Sequence, residues 1–127
     1  MDSLVTRGVK ISVVSQYSPE HSDPQHRQWF FIYTITINNE SEETVQLISR
    51  HWKIMDAEGR HEEVRGSGVV GEQPVLDPGE SFEYSSGCPL PTPFGSMDGT
   101  YSMVDEAGTS FDVTIPPFAL RNPENLQ

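Results

Sequence analysis

Three glycines, Gly66, Gly68 and Gly71, have the spacing G-x-G-x-x-G, which binds dinucleotides when the loop joins a strand to a helix. In that setting the backbone approaches a pyrophosphate, and the N-terminus of the helix completes the site. Here Glu72 follows at once and Pro74 comes next but one, so an acid lies where the phosphate would sit and no helix is predicted. We favour a loop whose glycines supply special backbone angles. A site for a nucleotide or phosphorylated metabolite is an alternative.

Histidine and aspartate side chains offer a second kind of chemistry, the binding of a divalent metal. His21, Asp23 and His26 lie close together in the sequence and could contribute ligands to a transition metal. No histidine pair has a diagnostic ligand spacing, so surface histidines are the favoured interpretation. Direct metal binding is kept as an alternative, and no cofactor is expected.

The chain offers little for nucleophilic catalysis. Cys88 is the sole cysteine, and it lies between Gly87 and Pro89 with no activating partner nearby in the sequence. The serines that precede Gly87 lack the strand–turn–helix setting of a nucleophile elbow. We therefore expect a protein that is not an enzyme.

Four apolar residues fall in predicted loops: Val69 and Val70 between glycines, and Phe94 and Met97 on either side of Gly95. Loops normally expose their side chains. These residues either fold back onto the core or form a recognition patch, and they are our candidates for contact with a partner protein.

The elements that must position these residues are β-strands. Apolar residues alternate with polar ones over 9–13, 29–37 and 111–115, and alternation places one set of side chains on one face of a strand. No stretch has helical periodicity over three turns. About seven short antiparallel strands separated by turns predict an all-β sandwich of the immunoglobulin or fibronectin-III type, with an open barrel as the rival.

Several local features refine this prediction. Val45 and Leu47 are in one phase while Ile48, Trp52 and Ile54 are in the other, which predicts a bulge at Leu47-Ile48 with Trp52 inward. Glycines predict tight hairpins at 58–59 and 107–108 and a turn at 77–80. The proline-rich segment 88–97 predicts an extended crossover. We expect the last strand to end at Pro116-Pro117.

Composition limits the function classes. The formal charge is −11, which argues against nucleic-acid binding, because phosphate recognition needs a basic face. A lone cysteine suits a reducing cytoplasm, and no secretory leader or membrane-spanning stretch is visible. We expect one domain over 1–127, with a frayed tail over about 122–127.

The second half of the chain contains the spaced motif Gly66-x-Gly68-Val69-Val70-Gly71-Glu72-Gln73-Pro74-x-Leu76-x-Pro78-Gly79-Glu80-x-Phe82-x-Tyr84-x-Ser86-Gly87-Cys88-x-Leu90-x-Thr92-Pro93-x-Gly95-x-Met97-x-Gly99-x-Tyr101. Upstream lie the aromatic strand Trp29 to Ile37, which ends in Asn38-Asn39, and the tripeptide Arg50-His51-Trp52. Together these residues closely resemble the ApaG family, also called CorD, and the resemblance covers nearly the whole chain.

The resemblance implies a fibronectin-III-like sandwich and a link to cobalt and magnesium resistance or efflux. Related domains in an F-box protein and in a polymerase-delta-interacting protein look like protein-interaction modules, and the family supplies no established catalytic residues. We therefore expect a non-catalytic module that acts on divalent-cation resistance indirectly, through a protein partner. A homodimer formed through an edge strand is a further possibility.

Overall fold

The computed structural model describes residues 2–122, which form two antiparallel β-sheets stacked face to face. The nine strands are β1 (Asp2–Thr6), β2 (Val9–Tyr17), β3 (Trp29–Asn39), β4 (Val45–Asp56), β5 (His61–Ser67), β6 (Val75–Leu76), β7 (Ser81–Leu90), β8 (Phe94–Val104) and β9 (Ser110–Arg121). One sheet has the order β1-β2-β3-β7. The other has the order β5-β4-β8-β9, with the short β6 paired to β4. The predicted β-sandwich is confirmed.

Alternation in the sequence explains how the two sheets meet. In β3, Phe31, Tyr33, Ile35 and Ile37 are buried, whereas the residues between them are partly exposed. The matching inward positions of the other strands complete one continuous core between the sheets. Burying such side chains is the main favourable contribution to the stability of the fold.

The two sides of the sandwich differ. On one side, β9 of the second sheet lies against β1 and β2 of the first: the Thr114 N–H donates to Thr6 Oγ1 at 3.3 Å, and Ser15 Oγ donates to the Ala119 carbonyl at 3.0 Å. Arg7 adds a cation–π contact, with its guanidinium carbon 4.2 Å from the centre of the Phe111 ring. On the other side, the edge strands β5 and β7 leave the space between the sheets accessible.

Most predicted turns are present. Gly59 and Gly108 have φ of 84° and 79°, which suits the tight hairpins that join β4 to β5 and β8 to β9. The Glu80 N–H donates to the Asp77 carbonyl and closes the predicted 77–80 turn. The pairing of β4 with β8 shifts between Leu47 and Ser49, which confirms the bulge.

Three expectations about strand limits were wrong. Residues 2–122 contain nine strands rather than about seven, because the exposed β1 shows no alternation and β6 has only two residues. The crossover predicted over 88–97 is much shorter, since β7 continues to Leu90 and β8 begins at Phe94. The last strand does not end at Pro116-Pro117.

The two prolines lie in a bulge inside β9. Met97 pairs with Phe118 and Gly99 pairs with Ile115, so the prolines together face the single residue Asp98. A bulge tolerates residues that lack an N–H, and the strand therefore continues beyond them. Of the predicted frayed tail, only Asn122 is described: it is buried, and its N–H donates to the Pro93 carbonyl at 3.1 Å. Residues 123–127 lie outside the described part.

Candidate binding cleft between the two sheets

A cleft opens where the edge strands β5 and β7 face each other. Two adjoining cavities of about 260 and about 310 Å³ share Ile54, Glu62 and Pro89 as lining residues and so form one continuous space. Along β4 the cleft runs from Arg50 to Asp56. The six residue-to-residue steps between these two positions of an extended strand span about 20 Å, which is the length of a short extended peptide.

Arg50 is the unusual residue of this cleft. It shares the inward phase of β4 with Trp52, which is 3% exposed, and it is itself half-buried. Its Nη1 donates to the carbonyls of Ser67 at 3.1 Å and Gly68 at 2.8 Å. The guanidinium packs over Gly66, where an added Cβ would lie 2.8 Å from Cζ, Nη1 and Nη2 of Arg50. Gly66 therefore makes room for this cation.

The charge of Arg50 is not matched by an acid. Four other arginines form ion pairs with carboxylates: Arg7 with Asp105, Arg27 and Arg60 with Glu58, and Arg65 with Glu63. Among residues 2–122 no carboxylate forms such a pair with Arg50, although the chain has 19 acidic residues. Charged residues that face a core are usually paired.

Three tyrosine hydroxyls lie near Arg50: those of Tyr33 and Tyr84 come from the opposite sheet, and that of Tyr101 comes from β8, the neighbouring strand of the same sheet. Burial raises the pKa of Tyr33, while a hydrogen bond with the Ser86 side chain and the charge of Arg50 act in the opposite direction. Deeper in the core, the hydroxyls of Tyr84 and Tyr101 bond to each other at 2.5 Å and connect β7 of one sheet to β8 of the other. Burial raises the pKa of both. All three phenols are therefore neutral hydrogen-bonding groups at ordinary pH.

Cys88 lines the same cleft but is not built as a nucleophile. It is 3% exposed, and burial, followed by the negative charge of Glu62, raises the pKa of its thiol to about 12. A thiolate is therefore scarce at neutral pH. The structure gives Cys88 the environment of an ordinary core residue.

The four apolar candidates do not form one patch. Val69 and Met97 are buried, at 1% and 2% exposure, and belong to the core. Val70 and Phe94 are exposed, at 56% and 49%, but they lie at opposite ends of the second sheet. The Gly68 N–H donates to the Ile48 carbonyl, whereas the residue after Phe94 pairs with Asp56. Those two ends of β4 are about 26 Å apart.

The glycine motif forms a two-residue hairpin turn and is not followed by a helix. Val69 and Glu72 exchange both backbone hydrogen bonds, at 2.8 and 2.9 Å, and the two residues between them have positive φ, 43° at Val70 and 81° at Gly71. This is the geometry of a type I′ turn. Gly68 has φ of 62°, and an added Cβ there would meet the Glu72 carbonyl oxygen at 2.3 Å. The glycines of the motif therefore form the hairpin turn, and Gly66 also leaves space for the Arg50 guanidinium.

The candidate metal ligands lie in two short 3₁₀ turns between β2 and β3. His26 Nδ1 bonds to Asp23 Oδ2 at 2.6 Å, but His21 Nδ1 bonds to the Ser18 hydroxyl at 2.7 Å and its ring lies beside Phe30. Within 2–122 no three histidine, cysteine or acidic side chains are grouped as a metal would require.

Arg50 was missed as a site residue, although its phase was readable. A period of two places Arg50 on the same face of the strand as Trp52, which the pattern had already assigned to the interior. The signal was a charged residue at an inward position of a central strand.

The described helices are two 3₁₀ turns of three residues each, and none has the length or the apolar character needed to cross a membrane. What the fold and the cleft define is a β-sandwich domain that is open along one side. The model of the ApaG domain matches residues 19–105. The chain belongs to the ApaG family.

Relatives agree with this assignment over nearly the full length. Protein ApaG of Rhodopseudomonas palustris strain TIE-1 is 57% identical over 124 residues, which cover 98% of this chain and 95% of the relative. Protein ApaG of Beijerinckia indica is 53% identical over 127 residues, covering 100% and 98%. A crystal structure described as ApaA of Bordetella pertussis is 54% identical, with a TM-score of 0.89 and coverage of 92% of this chain and 95% of that one.

Proposed function

We propose that this domain is a non-enzymatic interaction module that takes an extended segment of a partner protein into the cleft between β5 and β7. We further propose that its effect on cobalt and magnesium resistance is exerted through that partner. The observation that carries the proposal is the open side of the sandwich, where two edge strands border a cleft about 20 Å long with a mixed apolar and charged lining.

Edge strands suit such a partner for a physical reason. Their outer N–H and C=O groups have no neighbour within the sheet and can pair with an added strand. On β5, the half-buried Val64 and Gly66 alternate with exposed residues and would meet every second side chain of the segment, while Glu62, in the same phase of the strand, is exposed. The segment we expect therefore carries apolar side chains at alternate positions.

The test begins with a photo-crosslinking amino acid placed at Val64 in the cleft or at Val14, an exposed residue of β2 on the other sheet. The segment crosslinked from position 64 is then prepared as a peptide and titrated into labelled domain. We expect amide shifts confined to β5, β7 and the adjoining part of β4. Val64→Lys should weaken binding about tenfold, while Val14→Lys, the matched control, should leave it unchanged.

Three outcomes would contradict the proposal. Amide shifts centred on β1 and β2, or loss of binding in Val14→Lys alone, would place the docking surface elsewhere. A concentration-dependent dimer with the same β5 and β7 shifts would assign the cleft to a second copy of the chain.

Calorimetry tests the indirect role in cation resistance. The isolated domain, titrated with Co²⁺ and separately with Mg²⁺, should show no stoichiometric site. A one-to-one site that is lost in His26→Ala would instead favour direct metal binding.

A further inference from the structure

We infer that the Arg50 end of the cleft is a pocket for a carboxylate that carries a small apolar body. The inference starts from the cleft of the proposed function, but it concerns a small ligand group and has its own test. It rests on three properties of the pocket. Within the described residues, the Arg50 guanidinium faces inward without a paired carboxylate, some of its N–H groups have no acceptor, and the apolar lining encloses a volume of suitable size.

The first property is the unmatched charge. The side chain of Arg50 faces the space between the sheets, and the chain has 19 acids against 8 lysines and arginines, yet no described carboxylate pairs with it. A half-buried guanidinium is costly unless an anion or several acceptors surround it. Here two backbone carbonyls supply part of that surrounding, and a bound anion would complete it.

The second property is the supply of donors. A guanidinium has five N–H groups in a planar fork, and the hydrogen bonds that Arg50 makes within 2–122 all leave from Nη1. Nε and Nη2 thus have no protein acceptor in the described chain. A carboxylate accepts two parallel N–H bonds from such a fork. On the facing strands, the hydroxyls of Tyr33 and Ser86 line the same space and can also donate.

The third property is size and polarity. The pocket holds about 260 Å³ and is lined by Trp52, Val64 and Met97 besides its polar groups. That volume lies just below the range of typical ligand sites and fits a short apolar chain. A doubly charged phosphate fits less well, because Arg50 is the one cation lining the pocket and Glu62 lies at its outer end. One positive charge and an apolar wall select a monoanion.

The carboxylate could belong to a free small molecule or to the C-terminus of a peptide. Hexanoate is the probe for the first source, and its uncharged amide, hexanamide, is the matched control. N-acetyl-Ala-Ala-Leu with a free carboxyl group, compared with the same peptide as an amide, tests the second. Hexanoate binding alone indicates a small-molecule site, whereas tighter binding of the free peptide indicates a chain terminus.

Binding is followed by amide shifts of the labelled domain. We expect hexanoate, but not hexanamide, to shift the amides of Gly66 and Ser86. Arg50→Gln should weaken hexanoate binding about tenfold or more, as expected for a lost charged hydrogen bond. Arg65→Gln removes the same charge from an exposed arginine of β5 and should change binding less than about twofold.

Equal binding of hexanoate and hexanamide would overturn the inference, as would unchanged hexanoate binding in a folded Arg50→Gln protein. If Arg50→Gln does not fold, Ser86→Leu replaces it, because leucine would fill the pocket and leave Arg50 in place. Retained binding in Ser86→Leu would also refute the pocket. If the carboxylate pocket is refuted, the proposed docking of a partner segment is not affected, because that docking is measured separately with the Val64 variants.

Discussion

Replacing Gly66 with alanine should destabilise the protein because of Arg50. Gly66 has ordinary strand backbone angles, so alanine fits the backbone, and a glycine-to-alanine change alone would stabilise by about 0.5 kcal/mol. The new Cβ, however, lies 2.8 Å from the guanidinium and must displace it. The two hydrogen bonds from Nη1 to Ser67 and Gly68 are then lost. With a charged donor at a partly exposed site, their loss costs about 1.5–2 kcal/mol in total.

The net expectation is a loss of about 1–1.5 kcal/mol in the free energy of unfolding for Gly66→Ala. In an Arg50→Ala background nothing remains to be displaced, so the same change should stabilise by about 0.5 kcal/mol. The coupling energy between the two sites is therefore about 1.5–2 kcal/mol.

Urea unfolding of the wild type, both single variants and the double variant measures this coupling, provided that the m-value stays constant. Gly59→Ala is the control, because its Cβ would meet nothing within 4 Å and its cost should be the same in both backgrounds. If the effects of Gly66→Ala and Arg50→Ala on the free energy of unfolding add to within about 0.5 kcal/mol, the proposed contact between residue 66 and the Arg50 guanidinium is refuted.

Three further outcomes are expected. Tyr101→Phe should cost about 1–3 kcal/mol in urea unfolding by stranding the buried Tyr84 hydroxyl, and Tyr84→Phe added to it should recover part of that loss. Cys88 should resist a thiol reagent at pH 8 in the native state and react on unfolding, because its pKa is raised to about 12; rapid native labelling would contradict this. The hydrogen bond from the Thr109 N–H to Asp105 Oδ1, above all, lowers the pKa of Asp105 below its ordinary 3.8. The stabilising effect of the Asp105 carboxylate is therefore present above that pH and is lost as the pH falls through the lower folded value. Asp105→Ala should lower Tm at neutral pH, by a difference that shrinks below pH 3.8; a constant difference would contradict it.

The fold was largely readable from alternation because a strand buried on one face repeats every two residues. Trp29–Asn39 shows that period, and the phase change at Leu47-Ile48 marked a real bulge. β1 carried no such signal, because all five of its residues are at least partly exposed and none belongs to the core. The prediction that the last strand ends at Pro116-Pro117 was wrong for a different reason: a bulge accommodates prolines that a regular strand would not.

The candidate site was harder to predict than the fold. Exposure of a loop residue depends on how the loop folds back, and this separated the buried Val69 from the exposed Val70 beside it. The cleft arises from the pairing order of the sheets, which leaves β5 and β7 as facing edges although they are distant in sequence. Arg50 was predictable in phase, but its missing acid became visible only with the three-dimensional arrangement of the carboxylates.

The hydroxyl pair of Tyr84 and Tyr101 has a mechanical consequence. Apolar side chains fix the offset of two stacked layers through many contacts that are individually weak and non-directional. One directional bond between a strand of each layer restricts sliding and rotation of the layers against each other. This bond opposes changes in the width of the gap on the open side, so the surface proposed to receive a ligand is formed without one.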